Sequence, residues 1–345
     1  MGITIIASVF VFGLLVLFHE FGHFIMAKAT GMRVDEFAIG FGPKLVSKQV
    51  GETVYSIRCV PLGGFNDIAG MDPADNDAGD RGYCEKSVWK RMIVIVAGPL
   101  MNFFLPIVIF FLIFMTAGVS SPSTRPELGE VMPDQPAALA GLKKGDRIYA
   151  INEKSVTTWD DIVRIVREAD GSPMKIAYHR GGEERQATVI PVHDKQENRM
   201  MIGVMGALDT RQPSVAEAAS TAVWKTGYVI YHMVEGLVQI FTGKAAAELA
   251  GPLGVMQMTG TVAKLGLAAL MNFAALLSLN LGVINLLPIP ALDGGHFVTL
   301  LIEAFRGKPL GEKALHYTQM AGITALVALM LFATKNDIVR IFFGG

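Results

Sequence analysis

The chain has 345 residues, about half of them apolar, including 20 Phe and 18 Met, and a formal net charge of -1. That balance argues for a membrane protein with some water-exposed mass and gives no basis for a nucleic-acid partner. The two cysteines, Cys59 and Cys84, fall in one loop outside any Cys-x-x-Cys pattern, which excludes a disulfide-stapled framework and makes them poor metal ligands.

The first element is an apolar stretch from about Ile3 to Ala27. It lacks a basic leader and is long enough to span the hydrocarbon, so it reads as a retained transmembrane segment within residues 1–28. Inside it lies His19-Glu20-Phe21-Gly22-His23. On a helix, histidines four apart share one face, where both rings can hold one zinc ion and the glutamate between them can act as general base. The bland alternative is a pair of core histidines bonded to carbonyls, but ionisable residues at membrane depth are costly enough to suggest function. Lys28 follows closely, which puts the pair roughly 7–8 Å inside one membrane face.

Residues 29–91 are polar and punctuated by glycine, with short alternating runs such as Thr53 to Arg58 that predict β-hairpins beside the membrane. Met71 to Arg81, dense in Asp and Gly, reads as a surface loop. Residues 92–119 form a second transmembrane segment, in which Pro99 and Pro106 predict irregular helix, Gly98 allows another helix to approach and Asn102 calls for an interhelical hydrogen bond.

Residues 120–207 turn soluble in composition. Thr158 and Asp161 make a capping box before a helix with apolar residues at Ile162, Val163 and Val166, and Gly181-Gly182 separates two alternating runs as in a hairpin. Residues 208–265 predict amphipathic helices at the interface, with a break at Gly251 to Gly254. A third transmembrane segment at 266–305 is interrupted by Asn285-Leu286-Leu287-Pro288-Ile289-Pro290-Ala291-Leu292-Asp293-Gly294-Gly295-His296. Broken backbone at that depth must be buried in protein or line a wet cavity, and it presents Asp293 as the natural third ligand. Three ligands and a water complete a catalytic site, which leaves His296 a supporting role. Residues 306–345 hold a loop and a fourth segment, about Tyr317 to Ala333, closing before Lys335.

Basic residues flank the loops after the first and third segments. By the positive-inside rule those loops are cytoplasmic, which puts the site near the cytoplasmic face and residues 120–207 outside.

With His-Glu-x-x-His and Asn-x-x-Pro-x-Pro-x-Leu-Asp-Gly-Gly-His, together with Gly40 to Gly42, Pro61 to Phe65 and Gly98 to Asn102, the chain resembles the site-2 protease family, and residues 120–207 resemble a PDZ domain of the bacterial kind through Ala140 to Ile148. The resemblance implies a polytopic α-helical membrane protein of about four spans with a membrane-associated β-hairpin loop and one inserted PDZ-like α+β domain. It implies hydrolysis of peptide bonds within or near the transmembrane helices of single-span substrates of the anti-sigma-factor type, in envelope stress signalling, and signal-peptide clearance besides. It further implies one zinc ion on His19, His23 and Asp293, Glu20 as general base, and a bacterial inner-membrane location. Asn285 and Pro61, Leu62, Gly63, Gly64 and Phe65 become candidate substrate contacts, the loop clamping an unwound substrate as an added strand. Relatives with two tandem PDZ domains have one more than fits here. Two other classes stand beside the enzyme. An inactive scaffold presenting the PDZ-like domain predicts loss of Glu20 or Asp293, and an ion carrier predicts a polar chain reaching the other membrane face.

Overall fold

The computed structural model describes residues 2–71, 79–194, 199–244 and 251–343. The chain divides into two units, one formed by residues 1–116 and 215–345 and the other by 117–214.

In the first unit, α1 (Gly2–Ala29) is followed by the long strands β1 (Val34–Val50) and β2 (Thr53–Ile68), then α2 (Val88–Ala117). After the second unit come α5 (Val215–Phe241), α6 (Pro252–Ala263), α7 (Leu267–Leu286), α8 (Asp293–Arg306) and α9 (Glu312–Phe343). Among the described residues four helices are long and apolar enough to cross a membrane: α1, α2, α7 and residues 313–341 of α9. Ala7, Val11 and Leu15 of α1 pack on Leu270 and Ala274 of α7. Leu105, Ile109 and Phe110 of α2 meet Ala222 of α5 and Ala275 of α7.

Four sequence expectations need adjustment. The short hairpin runs are one pair of 17- and 16-residue strands. The acidic loop at 71–81 falls mostly outside the described residues. The fourth segment does not close before Lys335, because α9 runs on to Phe343. Its continuation is anchored by Asp337, 2% exposed, whose carboxylate accepts the Gly254 N–H at 2.7 Å and so caps α6 from another helix. Finally, α2 is continuous through Pro99 and Pro106. Proline removes the bond to the carbonyl four residues back, which for Pro106 is that of Asn102. The Ser278 hydroxyl on α7 donates to that carbonyl at 2.9 Å, so the vacated acceptor is used to join two helices.

The hairpin is not a simple two-stranded ribbon. Residues 36–39 of β1 pair with 54–57 of β2 on one side and with 64–67 on the other, so β2 wraps around β1 and its last stretch becomes an edge. Phe24 of α1 holds this sheet through Phe37 and Tyr55, with ring centroids 5.1 and 5.8 Å away.

The second unit is a small α+β assembly. It contains β3 (Val119–Pro122), β4 (Leu128–Val131), α3 (Pro136–Leu139), β5 (Arg147–Ile151), β6 (Lys154–Ser155), α4 (Trp159–Arg167), β7 (Met174–Arg180) and β8 (Glu183–Val189). Short strands β9 (Val192–Asp194), β10 (Arg199–Met201), β11 (Val204–Gly206) and β12 (Leu208–Arg211) complete it. The sheet order is β6-β5-β7-β8, with β4 paired to β11 and β3 to β12. Thr158 and Asp161 form the expected capping box at α4. Beneath the sheet, Ile148, Ile151, Ile162 and Ile176 are buried, and Arg180 forks onto buried Asp146 with two bonds of 2.7 Å.

Within the hairpin, Glu36 is buried, which alone raises its pKa, but hydrogen bonds from Ser56, Lys44 and Arg58 outweigh burial and hold it at about 2. A carboxylate depressed from 4.5 contributes stability that is complete above about pH 4.5 and is lost as pH falls through about 2. Thermal unfolding in detergent, followed from pH 6 to pH 2, is expected to show Glu36→Gln less stable than wild type at pH 6, with the gap closing below about pH 4.

Candidate metal centre

A metal site inside a helical bundle needs donors from different helices at nearly one point, which is possible only where backbones come close. Here α1 and α2 touch through glycine. A Cβ on Gly98 of α2 would fall on the His23 ring, and one on Gly22 of α1 would fall on the Ala97 carbonyl. The His23 ring therefore lies over Gly98, and its Nδ1–H donates to the Val94 carbonyl at 2.8 Å. That bond fixes the tautomer and leaves the Nε2 lone pair free to bind.

His19, one turn earlier on the same face, carries its Nε2 to 3.3 Å from His23 Nε2. Its other nitrogen, Nδ1, is 3.0 Å from the carboxamide of Asn102, which is fully buried on α2. Asn102 thus has the interhelical partner expected of it, and the partner is a site histidine.

The third donor arrives from the broken third segment. Residues 287–292 leave helical geometry between α7 and α8, with Ala291 at φ 76, and Asp293 opens α8. Its Oδ2 lies 3.2 Å from His19 Nε2 and 3.6 Å from His23 Nε2, and it is buried with no hydrogen-bond donor. Donors about 2.0–2.1 Å from one tetrahedral ion stand about 3.3 Å apart, so this triangle matches a three-ligand catalytic zinc site with room for a fourth group. Among the described residues, His19, His23 and Asp293 are the one group of side chains gathered closely enough to hold a metal.

Glu20 is held from the hairpin. Asn66, on the last stretch of β2, donates from Nδ2 to the Glu20 carboxylate at 2.8 Å and to the Glu20 backbone carbonyl at 2.7 Å. Sequence reasoning stopped at Phe65 and missed Asn66. The available signal was alternation, since Gly64 and Asn66 share a strand face.

The remaining candidates are more dispersed. Gly63, Gly64 and Phe65 lie in the edge stretch of β2, while the side chains of Pro61 and Leu62 lie outside what the structure describes. Asn285 is buried in the last turn of α7. His296 stands apart from the triangle, with Nε2 3.4 Å from the Gln319 side chain. It borders a cavity of about 920 Å³ that also meets Tyr83, Arg91, Glu303 and His316, in which Arg91 and Glu303 form a well-buried ion pair.

The geometry makes a prediction independent of chemistry. Gly98→Ala is expected to push the His23 ring aside and lower metal affinity at least about tenfold in competition with a chelator, while Leu100→Ala, at an exposed position of the same helix, leaves it unchanged.

Comparison with known proteins gives a consistent picture. The model for peptidase family M50 matches residues 7–329. Zinc metalloprotease RasP of Geobacillus kaustophilus is 35% identical, with 98% of each chain covered. Regulator of sigma-W protease RasP of Bacillus subtilis is also 35% identical, over 98% of this chain and 99% of its own. Among solved structures, a PDZ domain of an SdrC-like protein from Listeria monocytogenes is 22% identical over 26% of this chain and 90% of its own, with a TM-score of 0.22. That score is too low to bear on the fold of the second unit.

Proposed function

The chain belongs to peptidase family M50, the site-2 proteases, and on that premise we propose that it cuts peptide bonds of membrane-anchored substrates at a zinc centre made by His19, His23 and Asp293. It is a zinc metalloendopeptidase of regulated intramembrane proteolysis and an integral membrane protein. The observation that carries the site assignment is the triangle of two imidazole nitrogens and one carboxylate oxygen, 3.2 to 3.6 Å on a side and drawn from α1 and α8. Glu20 and Asp293 both stand, so the inactive scaffold has nothing in its favour.

When bound, zinc supplies Lewis acidity toward a water and the scissile carbonyl. His23 offers Nε2 because its Nδ1–H is committed to Val94. His19 ligating through Nε2 carries its proton on Nδ1, and a half-turn of the Asn102 carboxamide brings Oδ1, buried and unpartnered, to accept it. Glu20 takes the proton of the attacking water and returns it to the leaving amine. The edge of β2 receives the unwound substrate as an added strand, with Pro61 to Phe65 and Asn285 as its contacts. Single-span proteins of the anti-sigma-factor type are the substrates, in keeping with a relative named as a regulator of sigma-W.

Residues 120–207 act on the outer side of the inner membrane, away from an active site near the cytoplasmic face, as a PDZ-like gate that excludes substrates still carrying a bulky outer domain. The unit has a groove of about 320 Å³ between α4 and residues 199–204, which is where a peptide would bind if the domain were a receptor instead. The gate is preferred because both ends of the unit run directly into helices of the bundle, α2 and α5.

Two measurements test this reading. Glu20→Gln is expected to keep zinc and fold but lower cleavage of a single-span substrate by at least about 10³-fold, whereas Asp293→Asn is expected to lose zinc to a chelator at least about tenfold more readily. Cleavage near the wild-type rate, or zinc affinity unchanged, removes the respective role. For the gate, replacing residues 120–207 by a flexible linker is expected to make a substrate with a folded outer domain as cleavable as one without. Persistent resistance of the bulky substrate counts against it.

A further inference from the structure

Along the last stretch of β2, the alternation of a strand sends Phe65 to one side and Gly64 and Asn66 to the other. Phe65 faces the hairpin, stacked on Phe41 with centroids 6.5 Å apart and covered by the Arg58 guanidinium at 4.7 Å. The other side faces α1 at Glu20. A Cβ on Gly64 would stand 2.7 Å from the Ala38 carbonyl of β1 and 3.2 Å from Glu20 Cγ, so the strand lies where it does, between β1 and the helix, because this position is glycine. With that approach made, Asn66 reaches two acceptors of one residue, the Glu20 carbonyl and its carboxylate.

We propose that Asn66 is a positioning residue for the base: it fixes the aim of the Glu20 carboxylate and makes that aim depend on the hairpin edge being docked against α1. The inference rests on the reading of Glu20 as general base and goes beyond it by naming what holds the base and what can release it.

The argument is geometric. A glutamate on a helix has three rotatable side-chain bonds, and a single hydrogen bond from a mobile donor would constrain it little. Asn66 is not a mobile donor, because one N–H of its carboxamide is tied to the backbone of the same helix turn at 2.7 Å. The other N–H is then fixed relative to α1, and the bond it gives to Oε2 is charge-assisted. Among the described residues the stretch that carries Asn66 pairs with β1 on its inner side, through Ile39 with Gly64 and Phe37 with Asn66. Its outer side is the edge available to an extended peptide. Substrate capture and proton transfer are therefore joined through one side chain. A peptide that seats properly on the edge holds the donor of the base in place, and one that pulls the edge from α1 disarms the base.

The test is steady-state cleavage of a single-span substrate by the purified full-length protein. Asn66→Asp keeps the shape, removes both donors and adds a like charge. It is expected to lower kcat about 100-fold, with KM within about twofold and zinc content unchanged. In a Glu20→Asp background, where the base is one methylene too short to meet Asn66, the same change is expected to cost less than about threefold further. If Asn66→Asp does not fold, Asn66→Ala carries the same comparison with the same expected losses. The proposal is overturned by a wild-type kcat, by a loss that appears in KM or zinc content instead, or by full additivity with Glu20→Asp. Failure of the underlying reading looks different: Glu20→Gln would then retain cleavage, whatever Asn66 does.

Discussion

The bond from His23 to the Val94 carbonyl is the constraint from which the rest of the site follows. A histidine can offer one nitrogen to a metal only if the other disposes of its proton, and between closely packed apolar helices that proton needs a protein acceptor. The nearest acceptor is a carbonyl of α2, reachable only if the two helix backbones nearly touch. Gly22 and Gly98 permit that contact, and the closeness in turn brings Asn102 to His19. Ligand geometry, helix packing and tautomer choice are one requirement seen from three sides.

A second theme is the reuse of groups that irregular backbone leaves unpaired. The Pro106 ring vacates the Asn102 carbonyl, and Ser278 occupies it. The N-terminus of α6 exposes a backbone N–H, and Asp337 of α9 accepts it. The broken stretch at 287–292 delivers Asp293 to the histidines. Each irregularity is costly alone in an apolar medium, and each becomes a tie between segments distant in sequence.

How much of this could be read from the sequence depended on contrast. His19, Glu20, His23 and Asp293 were readable because ionisable residues stand out in apolar segments, and because spacing four apart puts the two histidines on one helix face. Thr158 and Asp161 were readable because a capping box is local. Asn66 had only the alternation it shares with Gly64, which in a polar loop carries no contrast, and its meaning lies in a helix turn 46 residues away. Asp337 was hidden for a related reason: Lys335 reads as the end of the fourth segment, and nothing local tells that Gly251 and Gly254 pack against the aspartate. The prolines of α2 misled because their effect on a helix depends on whether a neighbour can use the vacated carbonyl. The two-sided pairing of β1 likewise follows from the path of β2 and from no composition of its own.

The Ser278 bond has a further meaning for how the molecule comes into being. A ribosome makes the chain from one end, and the hydroxyl that satisfies the Asn102 carbonyl is encoded 176 residues after it. The Asn102 carbonyl is therefore made long before its partner, and a longer interval, 270 residues, separates His23 from Asp293. On the proposed assignment, a chain made only as far as the second unit carries two of the three metal ligands. Ser278 and Asp293 come on the successive helices α7 and α8, so one late part of the chain both satisfies the α2 carbonyl and completes the triangle with the histidines.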